Sequence, residues 1–212
     1  MRQILLTILL LSTSTILYCQ KTGKLISKPV TELEDKLDKR DLVLKKVAVG
    51  QSFSENSKTY RMWTDSQMIE VTESNDSLYY GQIVSFIFRI KRKTEGTVKL
   101  LYVADGLSKS DAKDIFKKVR DLDYIPTSDS VKGFVYFLDG NFYGIDKLIG
   151  GQLMRKNYND LFEQEAIDFG PIKELFKQLD KDFLKTRYKT LHSFMPSGTY
   201  KCISGTTIIR KM

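Results

Sequence analysis

Length, composition and charge exclude several classes of site before any element is assigned. The chain has 212 residues, a formal net charge of +8, one histidine and two cysteines. With His192 alone there is no Cys/His cluster for zinc, and no acidic segment has the spacing of an EF-hand loop. Since the sequence also has no G-x-S-x-G, Walker or dinucleotide-binding glycine motif, we expect neither a cofactor nor a metal.

The first 19 residues are organised like a secretory signal peptide. Arg2 precedes an apolar run over residues 4–11, a second apolar run spans Ile16–Tyr18, and polar residues follow. The apolar part is interrupted and short against the ~20 residues that a membrane-spanning helix needs, which favours a cleaved signal over an anchor. We expect cleavage after Cys19 and an exported product beginning at Gln20, located in the periplasm or outside the cell.

Cys19 supports one alternative, a lipid anchor on an acylated cysteine. Lipoprotein signals favour a small residue immediately before that cysteine, and Tyr18 stands there instead. If Cys19 is removed with the signal, Cys202 is the remaining cysteine and cannot form an intramolecular disulfide. We therefore expect a buried thiol at Cys202.

Residues 20–41 form a polar, charge-dense segment, and residues 42–212 indicate a single α+β domain without repeats or linkers. Alternating and β-branched runs predict an antiparallel meander in a twisted sheet. In the run from Tyr80 to Ile90 the even positions other than Gln82 are apolar, so Ser85 and Arg89 are expected on a solvent face. The predicted strands are Val43–Val49, Tyr60–Trp63, Gln67–Thr72, Tyr80–Ile90, Val98–Val103, Gln152–Tyr158 and Thr199–Ile209.

Two amphipathic helices are predicted to pack against this sheet. The first is capped by Ser108 or Ser110, and the second begins at Gly170-Pro171, where proline suits the first helical turn. The apolar positions repeat at helical spacing, namely Ala112, Ile115, Phe116 and Val119 in the first helix and Ile172, Leu175, Phe176, Leu179, Phe183 and Leu184 in the second.

The segment from Lys132 to Lys147 is expected to form a central hairpin. Asp139-Gly140 lies between two aromatic and β-branched runs, as in a tight type I′ turn. A two-residue turn would place Phe134 opposite Ile145 and Tyr136 opposite Tyr143, with both faces of the ribbon buried.

Two groups of side chains are candidates for binding. Polar and aromatic residues would converge beside the hairpin if Gln152–Tyr158 pairs with it, and basic residues would gather at one end of two neighbouring strands. Cross-strand pairing and a solvated sheet end are the structural alternatives. The first group is Arg61, Trp63, Tyr143, Asp146, Arg155 and Tyr158, and the basic patch is Arg89, Lys91, Arg92, Lys93 and Lys99.

Several of these residues also carry a family resemblance. Trp63, Tyr124-Ile125-Pro126, the run Asp139–Asp146 and Arg155–Tyr158 occur in an order that resembles uncharacterised exported proteins of Bacteroidetes-type bacteria. In that group a D-G-x-x-Y-x-[IV]-E segment precedes a tyrosine-containing strand, and this chain has Asp146 in place of the glutamate. The resemblance implies export and one domain, and it supplies no active site.

These observations favour a non-enzymatic periplasmic or cell-surface binding protein. Its expected partner is another envelope protein or an anionic envelope polymer, and no nucleic-acid-binding motif is present. Two alternatives stay open: a hydrolase using carboxylates near Asp146 and Glu163, and an inhibitor or immunity-type protein.

Overall fold

The computed structural model describes residues 23–47, 57–74, 78–91, 96–125, 141–163, 169–204 and 206–209. Its strands are β1 (Ile26–Pro29), β2 (Lys58–Thr64), β3 (Gln67–Glu73), β4 (Tyr79–Ile90), β5 (Thr97–Gly106), β6 (Tyr143–Ile149), β7 (Gln152–Asn157), β8 (Gly198–Lys201) and β9 (Thr206–Ile209). Its helices are α1 (Glu32–Asp35), α2 (Lys39–Val47), α3 (Lys109–Asp121), α4 (Gly170–Leu179) and α5 (Lys185–Phe194), and a π-helical turn over Asp180–Leu184 joins α4 to α5.

The strands form one antiparallel sheet in the order β1-β5-β4-β3-β2-β6-β7, with β8 pairing to β4 and β9 to β8. Strands β2 to β5 follow one another as a meander, and β6 then returns to the other edge of β2. The predicted antiparallel α+β fold is confirmed. Among the described helices, none is long and apolar enough to cross a membrane.

Helix α3 lies on one face of the sheet, as its sequence predicts. The Ser108 side chain caps it by accepting a hydrogen bond from the Asp111 backbone N–H. Its apolar stripe is buried, with Phe116 edge-on to the rings of Tyr60 and Tyr79. The backbone of β4 approaches closely beneath it, since a Cβ on Gly81 would lie 3.1 Å from Ala112 Cβ.

The predicted second helix covers the same face and contains the π turn. Ile172, Leu175, Phe176 and Leu179 are buried, and the next buried position is Leu184. A π turn closes hydrogen bonds from residue i to i+5, so it takes up an extra residue and returns Leu184 to the core. Gln67 Nε2 donates to the Leu184 carbonyl at 2.9 Å, which satisfies a backbone acceptor inside this turn.

Helix α2 covers the opposite face and corrects the predicted strand Val43–Val49. The described part of that segment is helical to Val47, and Leu42 and Val43 are fully buried in a cluster with Trp63 and Phe86. Three valines favour a strand locally, but the contacts made by Leu42 and Val43 are with residues distant in sequence. Tertiary burial therefore overrides local propensity here.

The segment predicted to be a polar N-terminal extension contributes to the sheet. Strand β1 pairs with β5, and Thr31 and Glu34 form a capping box at the start of α1. Hydrogen bonding to Lys46, with further contributions from Thr31 and Lys45, lowers the pKa of Glu34 to about 2.

The predicted hairpin is only partly testable, because residues 132–140 lie outside the described residues. Its second arm is strand β6, whose two edges pair with β2 and β7. Ile145 is opposite Met62 and Lys156, so the predicted Phe134–Ile145 pair is wrong. The predicted strand Gln152–Tyr158 is confirmed as β7 next to β6, and the predicted terminal strands are confirmed as β8 and β9.

Strand β4 is buried on both faces over most of its length, and not half-buried as predicted. Ser85 is 1% exposed and accepts a hydrogen bond from Gln67 Nε2 at 2.8 Å. Helices on both sides of the sheet cause this burial, whereas Arg89 near the strand end is partly exposed, as expected.

Candidate functional site

Trp63 and Arg155, two of the predicted binding residues, meet around the carboxylate of a third, Asp146, on the α2 face of the sheet. Trp63 Nε1 donates to Asp146 Oδ2 at 2.9 Å, and Arg155 Nε lies 3.8 Å from the same oxygen. Arg40, which sequence analysis did not single out, donates from Nη1 to Asp146 Oδ1 at 3.0 Å. The Arg40 guanidinium also lies over the Phe142 ring, 5.2 Å from its centroid.

The surroundings of the Asp146 carboxylate indicate a structural role. The Asp146 side chain has no exposed area, and both its oxygens are engaged. Burial raises the pKa of Asp146 above its ordinary value, although Arg40 and Arg155 oppose that rise. With its side chain enclosed and both oxygens engaged, Asp146 lacks the exposure that a hydrolytic residue needs. Its proposed partner, Glu163, is exposed beyond β7.

Arg61 belongs to the same group, because it is the cross-strand partner of Asp146 and its charge acts to lower the pKa of that carboxyl. It is buried and donates from Nε to Glu70 Oε2 at 2.7 Å, whereas the two predicted tyrosines are separated from this group. Tyr158 is on the opposite face, fully buried, and its hydroxyl donates to the Ile125 carbonyl at 3.2 Å. Tyr143 is also on that face, with its ring 5.0 Å from that of Phe176. The sheet therefore divides the predicted pocket into two halves.

The described members of the basic patch lie near one end of β4 and β5. Arg89 and Lys99 are cross-strand partners, and Tyr200 of β8 pairs with Arg89 on its other side. Lys91 is exposed, and Arg92 and Lys93 lie outside the described residues. Arg89 and Lys99 are therefore neighbours at this end of the sheet.

The C-terminal part of the chain adds basic residues to the same face of the sheet. From Phe183 to Met212 the sequence has no aspartate or glutamate, while lysine and arginine recur. Helix α5 lies over β4 and β5, where Leu191 and Met195 pack with Ile87 and Leu101. Since Ile87 and Leu101 are two residues from Arg89 and Lys99, these four share a face of the sheet.

Lys185 and Lys189 lie on the exposed side of α5. Among the described residues, no carboxylate lies within 4.0 Å of the ammonium group of Lys181, Lys185 or Lys189. Because these lysines are four residues apart, they stay on the outer side of the helix, whereas the π turn keeps Leu184 on the inner side. We call Lys185, Lys189, Arg89 and Lys99 the basic face.

Elsewhere in the described chain, carboxylates are largely paired with basic side chains. This pairing accounts for the uneven distribution of charge between the rest of the protein and the basic face. Most of these pairs involve residues of the sheet and of the two N-terminal helices. The pairs are Glu34 with Lys45 and Lys46, Asp35 with Lys39, Asp41 with Arg155, Glu70 with Arg61, Asp105 with Arg187, Asp123 with Lys147 and Lys156, and Asp146 with Arg40.

Sequence analysis missed the α5 lysines, although a count of acidic residues along the chain would have found them. Within the described ranges, no three His, Cys, Asp or Glu side chains come together as a metal-binding group. No protein-family model, curated protein or solved structure matches this chain.

Proposed function

We propose that this protein is an exported, non-enzymatic binding protein whose basic face holds an anionic polymer of the cell envelope. The observation that carries the proposal is the carboxylate-free segment from Phe183, whose helix α5 lies on the same face as Arg89 and Lys99. Positive charge concentrated on one surface attracts and orients polyanions. The signal-like residues 1–19 support export.

The chemistry of the basic face favours a polymer over a folded protein partner. Its two helical side chains are lysines, and lysine is depleted in the cores of protein–protein interfaces. An extended polyanion gains affinity from many such contacts by releasing its condensed counterions, without needing a shape-matched apolar centre. The burial of Asp146 supports the non-enzymatic part of the proposal, because it removes the carboxylate that a hydrolase would have used.

Binding to a polyuronate, measured by titration calorimetry at increasing salt, tests this proposal. We expect the affinity to fall at least about tenfold for a tenfold rise in salt, because even one or two released counterions give a slope of that size. An uncharged dextran of the same length is the matched control and should not bind. Affinity that is independent of salt, or equal for polyuronate and dextran, would overturn the proposal, as would an acidic protein domain that outcompetes the polymer.

A further inference from the structure

A cleft lies between the sheet and helices α4 and α5, and no residue of the basic face lines it. It has a volume of about 410 Å³ and lies between the β2–β3 turn, the start of β6, the π turn and α5. The π turn and α5 contribute Asp180, Leu184 and Tyr188, each one residue before Lys181, Lys185 and Lys189. The same helix therefore presents different side chains to the cleft and to the outer surface.

Aromatic rings form much of the cleft wall. Tyr143 is at the centre of this wall, with its ring centroid 5.3 Å from that of Phe162 and 5.0 Å from that of Phe176. The interplanar angles are 75° and 62°, so the rings meet edge to face. Phe142 also lines the space. Faces of aromatic rings carry negative electrostatic potential and attract cations.

Carboxylates surround the same aromatic wall. Burial, together with the neighbouring charges of Asp65, Glu163 and Asp180, raises the pKa of Tyr143 to about 12. Asp65 and Asp180 both line the cleft. Lys177 lines it as well, but its ammonium is 2.8 Å from the Glu174 carboxylate. The cleft is thus locally acidic in a chain whose net charge is +8.

Asp65 is held in place by the backbone around it. It accepts hydrogen bonds from the backbone N–H of Phe142 at 3.4 Å, from that of Ser204 at 3.2 Å, and from the Ser204 hydroxyl. Burial raises the pKa of Asp65 despite these donors, and the charge of Asp160 adds to the rise. A carboxylate that has lost much of its hydration has much to gain from a cationic ligand.

We propose that this cleft binds a small organic cation, with an ammonium group placed between the aromatic wall and Asp65. The volume is within the range of about 300–1,000 Å³ typical of small-molecule sites. Asp65 and Asp180 supply the countercharge, and Tyr143, Phe162 and Phe176 supply the apolar and cation–π contacts. This site is independent of the polyanion proposed for the basic face, and either can fail without the other.

The test compares choline with 3,3-dimethylbutan-1-ol, its uncharged isostere, by calorimetry or NMR titration of the full chain. We expect choline to bind at least about tenfold more tightly, since the two differ only in the charge that the cleft recognises. Asp65→Asn and Asp180→Asn should each reduce choline affinity severalfold and leave the isostere unaffected. Asp182→Asn removes the same charge from the same turn outside this cleft and should change neither affinity.

Cys202 lines the cleft and gives a second measurement that needs no ligand affinity. Its partly exposed thiol, which corrects the expected burial, can be modified in a Cys19→Ser background with cationic and anionic methanethiosulfonate reagents. After normalisation to a free thiol, the cationic reagent should react severalfold faster, and Asp65→Asn should reduce that preference. Equal affinity for choline and its isostere, binding of neither, or faster reaction with the anionic reagent would overturn the proposal.

Discussion

Replacing Asp146 with alanine is expected to lower the free energy of unfolding by about 3–5 kcal/mol, the range found when one partner of a buried ion pair is removed. The loss comes mainly from Arg40, which is 7% exposed and would keep only its longer contact of 3.6 Å with the half-exposed carboxylate of Asp38. Trp63 Nε1 would lose its acceptor as well. Urea denaturation followed by tryptophan fluorescence measures the change directly, since Trp63 is the single tryptophan of the chain.

Two further variants separate the loss of the pair from a general effect of removing an acid. Asp121→Ala removes an exposed carboxylate 3.0 Å from Arg120, and the unfolding free energy should change by less than about 1 kcal/mol. Arg40→Met combined with Asp146→Leu removes both buried charges and should recover much of the lost stability, because an apolar pair avoids the cost of desolvation. An Asp146→Ala protein as stable as the parent would contradict this account of the buried group.

Reversing two charges on α5 is expected to have the largest effect on binding. Lys185→Glu with Lys189→Glu should weaken polyuronate binding at least about tenfold at low salt, because it replaces attraction by repulsion at two contacts. Both side chains are exposed, so the fold should be retained, which circular dichroism can verify. The measurement is the dissociation constant at about 50 mM salt, where charge screening is weak.

A matched control keeps the change in net charge the same. Lys109→Glu with Lys117→Glu alters two exposed lysines of α3, and Lys109 at the helix N-terminus tolerates a negative charge well. Binding by this control should stay within about twofold of the parent if location matters more than total charge. An equal loss of polyuronate affinity in both double variants would show that only the net charge matters. It would rule out the basic face as the binding site.

Local signals in the sequence identify most of the elements. The serine cap and the spacing of Ala112, Ile115, Phe116 and Val119 predict α3, and proline at the first turn predicts the start of α4. These signals act between residues a few positions apart, so they are visible in one sequence. The pattern fails at Val43, where the local preference for a strand conflicts with burial against Trp63.

The site depends on contacts that local patterns do not contain. Arg40 and Asp146 are separated by 106 residues, and neither residue's neighbours indicate the other. The carboxylate-free run is readable from the sequence, but only the pairing of β8 with β4 and the packing of α5 place it beside Arg89. Likewise, the cleft forms because the π turn, the β2–β3 turn and β6 meet in space.

A chemical-shift map locates the polyanion site on the protein surface. A uronate oligomer is titrated into the ¹⁵N-labelled protein at low salt, and the backbone amide shifts are followed along the chain. We expect the largest changes on α5 and around Arg89 and Lys99. Largest changes on α3, or in the cleft around Asp65, would contradict the assignment of the basic face as the polyanion site.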